Sequence, residues 1–187
     1  KTSTIIGAIV DTSLTAINLT GNAFVFTDIA TTKAVTLNGS ALTGDGSATP
    51  AGLTVAGSAT AGSTITGSAF VDSFTIGAEG STYTSGAGND TFTTTAAIFS
   101  ADGTTDATLT GGLGTDTITL TSTLTLTDVH FTNVSGMEKL NSAATTAVSY
   151  TGFGAAVKAA FADGLTITTG LLADNASYTV GAGLYDK

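Results

Sequence analysis

Apolar and polar residues alternate with a period of two over short stretches of this chain. Thr117-Ile118-Thr119-Leu120-Thr121 and Thr123-Leu124-Thr125-Leu126-Thr127 place apolar side chains on one face and threonines on the other. Such alternation is the signature of a half-buried strand. Ala34-Val35-Thr36-Leu37-Asn38, Leu53-Thr54-Val55 and Leu165-Thr166-Ile167-Thr168 read the same way. Turn sequences fall between them: Asn38-Gly39-Ser40, Gly44-Asp45-Gly46-Ser47, Ala78-Glu79-Gly80-Ser81 and Asp102-Gly103. Short strands with such frequent turns predict an all-β chain, as a solenoid, a sandwich or a barrel. One stretch departs from the pattern. Residues 154–162 are rich in Ala and lack Thr, which predicts a short helix stopped by Asp163-Gly164.

The alternation belongs to a longer repeat. Written from Ser58 in rows of nine, the chain reads SATAGSTIT, GSAFVDSFT, IGAEGSTYT and SGAGNDTFT, ending at Thr93. Position eight is Ile65, Phe74, Tyr83 and Phe92, and position nine is Thr66, Thr75, Thr84 and Thr93. After an eight-residue break at 94–101 the phase returns in DGTTDATLT and GGLGTDTIT, with Leu109 and Ile118 at position eight. Six turn-forming residues then precede a three-residue strand with one large apolar side chain. A single row cannot bury that side chain, but stacked rows bury a column of them, so the repeat predicts a solenoid. Two rows make one coil, and residues eighteen apart lie above one another.

Asp72 and Asp90 are eighteen apart, each at position six of its row. Stacked glycine turns place backbone carbonyls and one Asp carboxylate per coil around a small space. Calcium takes six to eight oxygens in flexible geometry, whereas magnesium demands a stricter octahedron. Without a cation a column of Asp repels itself. The expected metal ligands are Gly67, Ala69 and Asp72, then Gly86, Gly88 and Asp90, then Gly112, Gly114 and Asp116. Ser81 stands where row 76–84 would need an Asp, so a site on that edge is expected to be missing or weak. Asp116 has no Asp eighteen residues back, and the break obscures its pairing. One or two calcium ions are expected, not a full ladder.

Composition narrows the chemistry. The 187 residues include 41 Thr, 29 Ala and 24 Gly, and only 10% are charged, with a net charge of −9. There is no Cys, so no disulfide framework and no thiolate site. Five Lys and no Arg argue against nucleic acid as a partner. A single His, His130, removes His-cluster zinc sites and leaves a Ser-His-Asp centre without support. No apolar run is long enough to span a membrane. An apolar fraction of 42% with low charge density argues against disorder. The start at Lys1 without a signal-peptide pattern suggests an excised segment or a processed product.

The remaining polar residues have plainer expectations. Asp102 and Asp106 sit between rows, where turn and ligand roles are both open, and Glu79 reads as a solvated turn residue. Glu138 reads as a structural pair or hydrogen-bond acceptor, and His130 as a satisfied strand histidine. Phe70, Phe74, Tyr83, Phe92 and Phe99 read as core. The Thr-x-Thr runs read as outward strand positions, with an ice- or glycan-binding face as the alternative.

GGLGTDTIT (111–119) fits the calcium-binding RTX nonapeptide pattern G-G-x-G-x-D-x-U-x at every fixed position. SGAGNDTFT (85–93) misses only the first Gly, and GSAFVDSFT (67–75) keeps Gly67, Asp72 and Phe74. Thr-rich strands follow, then Val134-Ser135-Gly136-Met137-Glu138-Lys139-Leu140. Over roughly residues 35–141 the chain resembles modules of RTX-type bacterial surface-layer proteins and large calcium-dependent adhesins, the Caulobacter-type surface layer among them. The resemblance implies type I export, folding at the extracellular bacterial surface, and self-association into a lattice or filament or against neighbouring modules, with glycan or lipopolysaccharide as further contacts.

The combined expectation is a short RTX β-roll-like parallel solenoid at 58–119. A β-rich segment at 1–57 and another at 120–187, the latter with the helix at 154–162, flank it as a sandwich or a continuation of the coil. Thr15–Leu19 and Gly164–Thr168 are expected as corresponding strands of a longer array. The expected role is structural and non-enzymatic. An ice- or glycan-binding adhesin repeat, or the calcium-binding C-terminal region of a secreted RTX enzyme, stand as alternatives.

Overall fold

A computed structural model of the chain describes residues 4–57, 59–95, 98–99, 106–122, 125–142, 149–152 and 154–169. Expectations at Asp102, at Thr123-Leu124 and beyond residue 169 lie outside the described residues. The chain winds as a parallel β-solenoid between two sheets. The eight-stranded sheet runs, in spatial order, β1 (Thr4–Ile9), β3 (Phe24–Ile29), β5 (Ala51–Val55), β7 (Val71–Thr75), β9 (Thr91–Thr94), β11 (Thr117–Leu120), β14 (Lys139–Ser142) and β16 (Thr166–Thr169). The six-stranded sheet runs β2 (Ala16–Gly21), β4 (Thr36–Leu42), β6 (Thr64–Thr66), β8 (Thr82–Ala87), β10 (Thr108–Leu113) and β13 (Val134–Ser135). The sequence repeat is thus one stretch of a coil that continues on both sides of it.

Period-two alternation decides what each sheet buries. In the eight-stranded sheet Phe26, Val55, Phe74, Phe92, Ile118 and Leu140 pair in register and form one inward column. Leu37, Ile65, Tyr83, Leu109 and Val134 form the facing column. All of them are buried. Phe74 packs on Tyr83 across the coil, with centroids 5.9 Å apart, and on Phe92 along it, at 5.6 Å. Neighbouring inward side chains therefore touch both within a coil and between coils, which removes apolar surface that no single row could hide. Ser73 pairs with Thr91, and Thr64 with Thr82, eighteen residues on in each case.

At the C-terminal side the coil gains accessory elements. β12 (Thr125–Leu126) pairs with β15 (Ser149–Tyr150). A 3-10 helix at Asp128–Phe131 packs against α1 (Ala155–Ala160), the helix the Ala-rich run predicts. The Asp128 carboxylate accepts the amide hydrogens of Gly154 (2.8 Å), Ala156 (3.2 Å) and Val157 (2.9 Å). It therefore caps a helix distant in sequence, because α1 carries no capping side chain of its own. Among the described residues no helix is long and apolar enough to cross a membrane.

Four local expectations are corrected. Asn38-Gly39-Ser40 lies inside β4, where Asn38 Oδ1 accepts the Ser40 amide hydrogen at 3.0 Å and bends the strand within the sheet. His130 sits on the 3-10 helix rather than a strand, because Asp128 turns the chain to reach α1. Phe70 is half-buried, since it lies in a turn between sheets. Thr15–Leu19 and Gly164–Thr168 do not correspond: the first contributes to β2 and the second to β16, in different sheets.

Candidate functional site

Alternation between sheets gives the coil two edges. One carries the turns β6–β7, β8–β9, β10–β11 and β13–β14, and there the acidic residues gather. Asp72, Asp90 and Asp116 each stand two positions before an inward core residue (Phe74, Phe92 and Ile118), so strand geometry turns their carboxylates inward. Their exposures are 0%, 1% and 0%. The facing positions, two after Ile65, Tyr83 and Leu109, are Gly67, Ser85 and Gly111, which leave room for them. A Cβ at Gly67 or Gly111 would lie 2.5 Å from Oδ2 of Asp72 or Asp116.

The carboxylates form a ladder along the coil axis. The Asp72 amide donates to Asp90 Oδ1 at 2.7 Å, and the Asp90 amide donates to Asp116 Oδ1 at 2.9 Å. The Asp116 amide donates to Glu138 Oε2 at 2.6 Å. Asp116 therefore does have a partner, twenty-six residues back at Asp90. The eight-residue break is absorbed at the opposite edge, and Thr82 still pairs with Thr108. Glu138 closes the column as a hydrogen-bond acceptor.

Backbone carbonyls complete the edge. A Cβ at Gly88 would lie 2.5 Å from the Phe70 carbonyl oxygen, and one at Gly86, Gly112 or Gly114 would collide with the carbonyl oxygen of Ser68, Gly86 or Gly88. Gly112 and Gly114 hold φ of +126° and +134°, a region open to glycine and strained for other residues. Each turn thus presses its carbonyl-bearing backbone onto the next. Of the sequence-selected residues, all three Asp and Gly67, Gly86, Gly88, Gly112 and Gly114 lie at this edge. Ala69 lies there too, exposed in the β6–β7 turn.

The charges are poorly compensated. Burial holds the Asp72 carboxyl at about 6, against hydrogen bonds from Leu53 and Ser68 that favour its charged form. Burial also raises Asp116 to about 6, with Asp90 and Glu138 adding repulsion, and raises Asp90. Oδ2 of Asp90 and Oδ2 of Asp116 are buried with no hydrogen-bond partner among the described residues. A buried anionic oxygen left without a donor carries a large desolvation cost.

Among the described residues no three carboxylate, imidazole or thiol side chains converge on one point. The carboxylates are strung one per coil instead. The donor set at this edge is therefore one free carboxylate oxygen at each of the Asp90 and Asp116 levels together with turn carbonyls. Such an all-oxygen set suits a hard cation tolerant of irregular geometry.

His130 is buried beside Phe99, with ring centroids 5.8 Å apart, and its Nδ1 accepts the Thr127 amide hydrogen at 3.1 Å. Burial lowers its pKa, so it is neutral near pH 7. Asp106 is buried, and Glu79 is exposed.

The fold and its acidic edge define a parallel β-solenoid with a buried carboxylate column. Compared with known proteins, the chain matches no family model, no curated protein and no solved structure.

Two members of the edge escaped sequence reasoning. Ser68 donates to Asp72 through its amide (2.7 Å) and its hydroxyl (3.0 and 3.1 Å). Glu138 was legible as an acceptor, not as the fourth rung. Aligning Thr-Leu-Thr-Gly-Gly (108–112) on Thr-Tyr-Thr-Ser-Gly (82–86) recovers the register across the break. Extending that frame to Val134–Leu140 brings Glu138 to the aspartate position.

Proposed function

We propose that the acidic edge binds calcium and that the chain is a calcium-stabilised, non-enzymatic structural module of an exported bacterial surface-layer-like protein. The observation that carries this reading is the pair of buried oxygens on Asp90 and Asp116, without a hydrogen-bond partner among the described residues, within a stack of like charges. A cation supplies the counter-charge that this part of the coil lacks, and binding then adds to folding free energy. Asp90, Asp116 and the neighbouring turn carbonyls would hold it. The nonapeptide resemblance supports calcium as the ion and type I export to the extracellular surface as the route. A rigid coil with few charges suits lateral assembly into a lattice or filament.

The test is calorimetric calcium titration combined with circular dichroism, on wild type and Asp90→Ala. Wild type should take up calcium, gain strand signal and melt at a much higher temperature, and Asp90→Ala should lose most of that gain. Electron microscopy with and without calcium then tests assembly, with ordered sheets or filaments expected only with the ion. A wild-type protein whose melting is indifferent to millimolar calcium would overturn the reading.

One observation favours a second reading, an adhesin repeat. Thr36, Thr64, Thr82 and Thr108 stack in register on the outer face of the six-stranded sheet, with Asn38, Thr66, Thr84 and Thr110 beside them. These two columns make an uncharged hydroxyl- and amide-bearing face, suited to a neutral glycan or to ice. Binding on a glycan array or thermal hysteresis, lost on replacing Thr64 and Thr84 by Lys, would favour it.

A further inference from the structure

The rungs of the acidic column are not equivalent. We propose that cation dependence is confined to the coils carrying Asp90 and Asp116, and that at Asp72 the Ser68 side chain and amide take the place of the cation. This rests on the reading of the column as a cation site.

The hydrogen-bond inventory separates the rungs. Asp72 Oδ1 accepts from the Leu53 amide and the Ser68 hydroxyl, and Asp72 Oδ2 accepts from the Ser68 amide and the same hydroxyl. The Ser68 oxygen is itself held by the Phe70 amide at 3.1 Å. Both carboxylate oxygens are thus served from within the turn. Asp90 and Asp116 each receive one amide hydrogen bond, from the adjacent coil, on Oδ1 alone. Their Oδ2 atoms are buried without a partner among the described residues.

The cause is one position in the turn. Gly86 and Gly112 occupy the place of Ser68 in the next two coils and pair with each other. They carry no hydroxyl, and their φ values are +112° and +126°. Every described residue with positive φ is a glycine, so Ser68 winds its turn differently and directs its amide to the carboxylate of its own turn. Ser85 does not repeat this arrangement: it faces Asp90 from the position of Gly67 and Gly111, near enough to favour the charged carboxylate, but its hydroxyl hydrogen goes to the Gly111 carbonyl at 2.7 Å and Asp90 Oδ2 keeps no partner among the described residues. A turn with serine supplies its own donors, and a turn with glycine leaves an acceptor for an outside cation. The coils through β7 then close without metal, and those from β9 to β11 close around it.

Hydrogen exchange on the intact wild-type chain, in calcium chloride and in chelator, reads this directly. Amides of β5 and β7 should stay protected in both, whereas those of β9 and β11 should be protected only with calcium. Calorimetry adds the side chains. Asp90→Asn and Asp116→Asn should each weaken calcium binding at least tenfold, while Asp72→Asn should leave affinity and stoichiometry near wild type. Ser68→Gly should make protection over 71–75 depend on calcium.

Equal loss of calcium affinity in Asp72→Asn and Asp90→Asn, or calcium-dependent protection of β7 in wild type, would overturn the proposal while leaving the column a cation site. No calcium uptake by wild type would sink that reading and this proposal together. Should Asp72→Asn fail to fold, the exchange pattern of the wild type decides alone.

Discussion

The two edges of the coil solve the same stacking problem with different chemistry. At the acidic edge backbone amides link Asp72, Asp90, Asp116 and Glu138 in turn, and two carboxylate oxygens have no partner among the described residues. At the opposite edge the groups that stack from Thr31 to Ser81 are neutral hydroxyls and carbonyls. The Thr31 hydroxyl donates to the Lys33 carbonyl at 2.7 Å, and the Thr60 hydroxyl donates to the Thr31 carbonyl. Ser63 and Ser81 donate to the Thr60 carbonyl, at 2.6 and 3.3 Å, and Ser63 also accepts the Val35 amide hydrogen at 3.0 Å. A hydroxyl both donates and accepts, so a ladder of hydroxyls completes itself. An ionised carboxylate only accepts, so its ladder stays open to an outside partner. One edge is closed by the chain, and the other keeps two buried acceptors without a donor among the described residues.

That contrast can be broken by substitution, beginning with glycines. Gly112→Ala should be the most damaging, by at least about 3 kcal/mol, because its Cβ would collide with the Gly86 carbonyl oxygen in a backbone that cannot retreat. Denaturant unfolding in chelator measures it. If Gly112→Ala cost no more than the opposite-edge Gly62→Ala, the tight stacking of the acidic edge would be refuted.

pH should discriminate between the edges next. In metal-free protein Asp72 and Asp116 are held at about 6 and Asp90 is also raised, against an unfolded value of about 4. The folded state therefore binds protons more tightly than the unfolded state. The resulting stabilisation is present below about pH 4 and is lost as pH rises through about 6, on the order of 2–3 kcal/mol for Asp72. Thermal melts in chelator should show falling stability over that window. The hydroxyl ladder from Thr31 to Ser81 has no part in it, since hydroxyls do not titrate there. Flat stability from pH 4 to 7 would refute the raised carboxyls.

The smallest effects belong to the neutral edge. Gly62→Ala should cost about 1 kcal/mol, because φ is +79° but the nearest atom, Ala34 Cβ, is 3.7 Å away. Ser81→Ala should cost about 0.5–1.5 kcal/mol, the worth of one hydrogen bond. Neither should alter the response to calcium, and a changed calcium midpoint in either would show that the edges are coupled.

The sequence carried the coil because burial repeats with the strand. Position eight of each row, from Ile65 through Phe92 to Ile118, had to face inward once Thr or Ser flanked it on both sides, and those residues lie in the core columns. It carried the aspartate positions for the same reason. Pairing across the break was hidden because counting from Asp116 by eighteen assumes equal coils, whereas the structure holds strand register fixed and lets a connection lengthen. The role of Ser68 was hidden because a serine in a Gly-Ala-Ser turn looks like any other small residue. Its effect depends on a φ sign that differs from that of Gly86. The path of Asp128 to α1, twenty-six residues away at Gly154, has no local signature at all.

Unequal coil lengths have a practical meaning. Phe74 meets Phe92 after eighteen residues and Phe92 meets Ile118 after twenty-six, yet the interior column runs on unbroken. The connection between Thr94 and Thr108 is therefore longer without any change of strand register, while its Phe99 stays packed against His130 and Phe131. Foreign peptides spliced there, with Phe99 kept in place, would ride on an unchanged strand register, which makes that side of the coil the natural place for display, and the carboxylate column the place to leave untouched.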